Sequence, residues 1–98
     1  MNKRIITRIC EIFEEEILCE PEDFSVENYN RFEEKIWGLK EEFDLKDSPF
    51  LFLPEPAEEA DYKMMNASMD GFTEPSREAA ESYLAKMRIA YEKLRKLL

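Results

Sequence analysis

Between residues 77 and 98 apolar side chains recur every three or four positions: Ala80, Tyr83, Leu84, Met87, Ala90, Tyr91, Leu94 and Leu97. A stripe of that period runs along one side of an α-helix and has to be covered, so the segment demands a fold in which other helices pack against it. Two earlier stretches share the period. Ile5, Ile9, Ile12, Phe13 and Ile17 predict a helix over 3–19, stopped by Pro21. Tyr29, Phe32, Ile36, Leu39 and Phe43 predict a second, capped at Ser25 and reaching about Phe43. So short a connection implies an antiparallel hairpin.

Proline and glycine punctuate the rest. Ser48-Pro49 and Pro54-Glu55-Pro56 bracket Phe50, Leu51, Phe52 and Leu53, which excludes an ordinary helix and predicts an extended, apolar crossover. A shorter helix from Ala57 to about Met69 should end at Gly71, and Thr73 should cap the last helix with Glu74 and Pro75 in its first turn. A chain of 98 residues supports one hydrophobic core, and two glycines leave no flexible linker, so residues 1–98 are expected to form a single domain. The expected fold is all-α: a small helical bundle of three long helices and one short helix, with the Pro-bracketed crossover between the second and third.

The chemistry the chain can carry is narrow. With no histidine, the commonest general base, the Ser-His and Cys-His pairs and the Glu-x-x-His di-metal sites of bundles are all removed. Catalysis by carboxylates alone would need an inward-facing acid pair in a cleft, which small bundles rarely offer, so no enzymatic activity, metal or cofactor is expected. Asn66, Ser68, Asp70 and Gly71 imitate the start of a calcium loop, but Arg77 stands where the bidentate Glu belongs and Pro75 intrudes. Cys10 and Cys19 fall on opposite faces of one helix, roughly 13 Å apart, too far for a disulfide, and read as free, buried thiols. Nothing reads as a membrane span or an export signal, so a cytoplasmic location is expected.

Charge supplies the functional clue. Residues 11–74 carry 20 acidic against 5 basic residues, between basic ends, within a net charge of −9. Glu11, Glu14 and Glu15 share the polar face of the first helix with Glu16 beside it, and Glu20, Glu22 and Asp23 follow. Acids at a helix C-terminus oppose its dipole, so local stability does not explain this order. Either the acidic end lies against a basic neighbour, the C-terminal half of the last helix being the obvious one, or it awaits a cationic partner. Carboxylates at i and i+4 stand about 6 Å apart along a helix, comparable to successive phosphates of a nucleic-acid strand.

In charge and size alone the chain is similar to the small acidic nucleic-acid mimics of phages and plasmids, which inhibit restriction, CRISPR and repair enzymes. That likeness implies an inhibitor that docks Glu11, Glu14, Glu15, Glu20, Glu22 and Asp23 on a basic site of a nucleic-acid enzyme without touching nucleic acid itself. A different reading rests on residues that fit their stripes badly. Trp37 and Ile89 lie off the apolar faces, and the Phe50–Leu53 run, for which burial within the molecule is the simpler expectation, cannot turn all its side chains one way. Trp37, Phe50, Phe52 and Ile89 would then anchor a self-associating subunit or adaptor, the acids merely keeping it soluble. Met64, Met65 and Met69 are expected to fill gaps in the core.

Overall fold

The computed structural model describes residues 3–67 and 74–98. Four helices follow in order, α1 (Lys3–Glu16), α2 (Val26–Glu42), α3 (Glu55–Ala67) and α4 (Arg77–Arg95), and no strand occurs among the described residues. Single 3-10 turns at Pro21–Asp23 and Pro49–Phe52 occupy the first two connections. The all-α bundle expected from the sequence is what forms. No helix is long and apolar enough to cross a membrane among the described residues.

Side-chain contacts fix the directions of the helices. Glu16 meets Arg31 and Lys35, while Arg4 lies 5.8 Å from the centre of the Phe43 ring, so α1 and α2 run antiparallel. Tyr91 bonds Glu14 and Arg88 reaches the Cys19 carbonyl, which sets α4 antiparallel to α1. Lys86 pairs with Glu59, whereas Lys63 and Met64 lie beside Ala79 and Ser82, so α3 and α4 are antiparallel too. The bundle is therefore up-down-up-down. Its spine is α1, where Ile5, Ile6, Ile9, Cys10, Ile12 and Phe13 are all buried and Phe13 meets Phe32 edge-on at 5.1 Å. Each such side chain contributes roughly 1.5–3 kcal/mol by leaving water. By contrast, among its described side chains α3 buries only Ala57, Ala60 and Met64, small or pliable side chains that let it lie close to its neighbours.

Helix ends differ from the expectation where local hydrogen bonds compete. Ile17 and Leu18 both donate to the Phe13 carbonyl, at 2.8 and 3.0 Å, which widens the last turn and ends α1 at Glu16 instead of Cys19. Ser25 caps α2 as expected, its N–H donating to the Asn28 side chain at 3.1 Å. The crossover is bracketed by prolines but closes one 3-10 turn, because Pro49 suits a first helical position and the Ser48 hydroxyl accepts from the Phe50 N–H at 3.2 Å. Pro56 likewise falls in the first turn of α3, where its missing N–H costs nothing, so that helix starts at Glu55 and not at Ala57.

At the other end of the bundle, α4 is capped by Ser76, whose hydroxyl accepts from the Ala79 N–H at 3.1 Å. Glu74 and Pro75 precede the helix. The Glu74 carboxylate is engaged elsewhere, accepting from the Val26 N–H at 3.0 Å and so completing the start of α2. Leu97 lies beyond the end of α4 and is exposed, outside the core that its spacing suggested. Met69, Gly71, Thr73 and the calcium-loop positions Ser68 and Asp70 fall outside the described residues. Both cysteines are free; Cys10 is buried and Cys19 half-buried, and burial raises both thiols above their ordinary value.

Candidate functional site

Much of the acidic end of α1 is engaged within the molecule. Glu15 accepts from Lys35 at 2.7 Å and lies 3.5 Å from Arg8, Glu22 is held by Arg77 at 3.1 Å, and Glu14 accepts from the Tyr91 hydroxyl at 2.8 Å. Glu16, only 7% exposed, takes Arg31 at 2.8 Å and Lys35 at 2.9 Å. Burial opposes its charge, but these two cations outweigh burial and hold its carboxyl below the usual range; Lys35 does most to lower Glu15. The neutralising cations come chiefly from α2, not from the C-terminal half of α4. The hairpin brings the first half of α2 opposite the end of α1, and Arg31 and Lys35, four residues apart, face the same way. Glu11, Glu20 and Asp23 have no ion-pair partner among the described residues.

The aromatic anchors separate into two groups. Trp37, 50% exposed, meets Phe50 edge-on with ring centroids 5.0 Å apart. Phe50, Phe52 and Leu53 are half-buried against the core, whereas Leu51 is 74% exposed, since a 3-10 turn spreads successive side chains over three directions. Ile89, 52% exposed, stands alone on the outward side of α4. Met64 fills the core as expected, but Met65 is exposed and joins Tyr62 on the outer side of α3.

Two acids that no stripe or charge run singled out, Glu33 from α2 and Asp61 from α3, cluster with the stripe residues Tyr29 of α2 and Tyr83 of α4. The Tyr29 hydroxyl lies within hydrogen-bond reach of both carboxyls, and Glu33 and Asp61 lie within reach of each other. Burial, then the adjoining Asp61, pushes Glu33 up to about 9, so that it keeps its proton at neutral pH. Burial also raises both tyrosines. Three further oxygens, Glu33 Oε1, Asp61 Oδ1 and the Tyr83 hydroxyl, are shut off from solvent with no hydrogen-bond partner among the described residues. An orphan of this kind costs about 1–3 kcal/mol, and folded proteins seldom keep one without a use. A signal was present in the sequence: Glu33 follows Tyr29 by four residues and Asp61 follows Ala57 by four, which sets each acid beside a core position of its helix.

A cavity of about 210 Å³ borders this cluster at Asp61 alone, its other walls being Phe50, Leu51, Leu53, Ala57 and Glu58. A smaller one, about 140 Å³, lies between α3 and α4 against Tyr83. An inward-facing acid pair therefore exists, yet two carboxyls within hydrogen-bond reach of each other stand closer than the ~5 Å or more needed to flank a glycosidic bond. Among the described residues no group of three or more Cys, Asp and Glu is placed to hold a metal ion. Comparison of the chain with known protein families, with curated proteins and with solved structures finds no match.

Proposed function

We propose that this chain is a non-enzymatic binding protein that docks on a basic, partly apolar surface of another protein. Its docking face is formed by Trp37, the Pro49–Phe52 turn and the outer side of α3. The observation that carries this reading is the company of Trp37 and Leu51, both exposed, with Glu55 and Glu58, which have no basic partner among the described residues. Aromatic and aliphatic anchors supply affinity when a partner covers them, and a ring of acids selects and steers a cationic surface. The specific form of the reading is an inhibitor occupying the basic site of a nucleic-acid enzyme, in the manner of a nucleic-acid mimic. Since Glu15 and Glu22 already hold Lys35 and Arg77, its leading carboxylates are Glu55 and Glu58 rather than the end of α1.

The test is affinity capture from host extract on the immobilised protein, at low and high salt, with the retained protein identified by mass. One partner retained at low salt, released by added salt, and lost with Trp37→Ala or the Glu55→Gln/Glu58→Gln pair is expected. Binding that ignores salt and fails on Ile89→Asp, together with a discrete oligomer in sedimentation, would replace this reading with the self-associating subunit.

A further inference from the structure

We infer that the cavity between α3 and α4 is a binding site for one small aromatic monocarboxylate, its ring held by Ala60, Met64, Ala79 and Tyr83 and its carboxylate by Lys63 and Lys86. The site draws on none of the docking face's residues and stands without that reading. Two independent features point to such a ligand, and the first is shape. The cavity holds about 140 Å³, and its walls pass from buried Ala60, Met64 and Tyr83, through half-buried Ala79 and Lys86, to exposed Ser82 and Lys63. A dry apolar cavity of about 150 Å³ takes one benzene ring, so this space suits a single ring. Met64 is unbranched and follows a ring's outline more readily than a branched side chain would. An apolar hollow with a few polar groups gathered at its mouth is the usual form of a small-molecule site.

The second feature is charge. Lys86 donates to Glu59 at 2.9 Å, and Lys63, one turn after Glu59 on α3, lies within hydrogen-bond reach of Lys86 and acts on the same carboxylate. Apart from Glu59, no acid pairs with either lysine among the described residues. Two ammoniums that repel each other therefore share one carboxylate, and the surplus is a single positive charge. One further carboxylate, bonded by both, balances it and screens their repulsion. A phosphate monoester would bring roughly two negative charges beside Glu59, more than the surplus can balance. A neutral ring would fill the hollow and leave the repulsion as it stands. Neither Glu33 nor Asp61 lines this cavity, so the buried acid cluster takes no part.

The experiment is titration of the isotopically labelled full chain with sodium benzoate, followed by amide chemical shifts. Benzamide, which keeps the ring and loses the charge, and acetate, which keeps the charge and loses the ring, serve as controls. Saturable shifts centred on Ala60, Met64, Ala79 and Tyr83 are expected, in the millimolar range for benzoate and with both controls weaker by about tenfold or more. Lys63→Gln, an exposed change that leaves the pair of Lys86 with Glu59 in place, should weaken benzoate about fivefold and leave benzamide unchanged. Ala79→Leu fills the cavity from a half-buried position and should abolish the response to benzoate while the amide spectrum remains that of the folded chain. The inference is overturned by the absence of saturable shifts, by benzamide binding as tightly as benzoate, or by indifference to Lys63→Gln. It is overturned equally by an acetate response as strong as that of benzoate, which would mean pairing with surface lysines only, or by benzoate shifts that persist in folded Ala79→Leu.

Discussion

Glu16 is buried and Glu33 half-buried, each beside the core side of its helix, and they are handled in opposite ways. At the end of α1, Glu16 stays charged because Arg31 and Lys35 close on it from α2. Between α2 and α3, burial and then the neighbouring Asp61 carboxyl raise Glu33 so that it keeps its proton, and one of its oxygens has no partner among the described residues. The first arrangement is complete and needs nothing from outside. The second has no cation beside it, and only its neighbour Asp61 borders a cavity. Completeness of partners, rather than the density of negative charge, separates a carboxylate that stays charged from a carboxyl that keeps its proton.

The largest expected effect comes from undoing the first arrangement. Arg31→Met together with Lys35→Met leaves Glu16 buried and uncompensated, and should cost about 3 kcal/mol in denaturant unfolding at neutral pH. Changing all three residues, with Glu16→Leu added, should recover most of that loss, because the penalty belongs to the orphaned charge and not to the missing bonds.

A second experiment separates the two glutamates by the direction of their pH response. Glu33 titrates above its ordinary value of 4.5 in the fold, so its contribution is complete below about that pH and is lost as pH rises toward 9. Glu16 titrates below 4.5, so its contribution is present above that value and is lost as pH falls through the folded-state value. Stability should therefore peak in the mildly acidic range. Glu33→Gln should flatten the alkaline side, whose slope is at most on the order of 1 kcal/mol per pH unit. Glu16→Gln should flatten the acid side and leave the alkaline one alone. A curve on which Glu33→Gln changes nothing above pH 5 would place both acids in the same class.

The same contrast explains what could be read without coordinates. The helices were legible because Ile9, Phe13, Phe32, Ile36, Met87 and Leu94 repeat at the helical period and all become core. Helix ends were less so, since Thr73 and Ser76 both carry a capping hydroxyl and it is the Ser76 hydroxyl that accepts from the Ala79 N–H. The charge pattern showed where acids gather but not which of them are already satisfied, because Glu15 and Lys35 are 20 residues apart in sequence and meet only through the hairpin. For the same reason the meeting of Glu33 with Asp61 was not legible: spacing sets each acid beside a core position of its own helix, but only the packing of the helices brings the two together. Trp37 could be marked as misplaced from its stripe, but its meeting with Phe50 depends on the 3-10 turn that the prolines permit and do not specify.

On the docking face, Trp37→Ala should leave most of the fold's stability intact and weaken partner binding by about 2 kcal/mol, roughly thirtyfold, as removal of a central aromatic anchor does.

The smallest effect belongs to the acids of the α1 end that no cation engages. Glu11→Gln, Glu20→Gln and Asp23→Asn, made together, remove three exposed charges with no ion-pair partner among the described residues. Thermal unfolding should shift by no more than ~0.5 kcal/mol. If the docking face lies at α3, this triple change alters only long-range attraction: the association rate falls modestly, the salt dependence becomes shallower, and the dissociation rate holds. A dissociation rate that rises steeply would mean that these carboxylates touch the partner directly. The acidic end of α1 would then be the recognition surface, with its internal ion pairs a scaffold around it, and Glu33 and Asp61 would be the carboxyls left over.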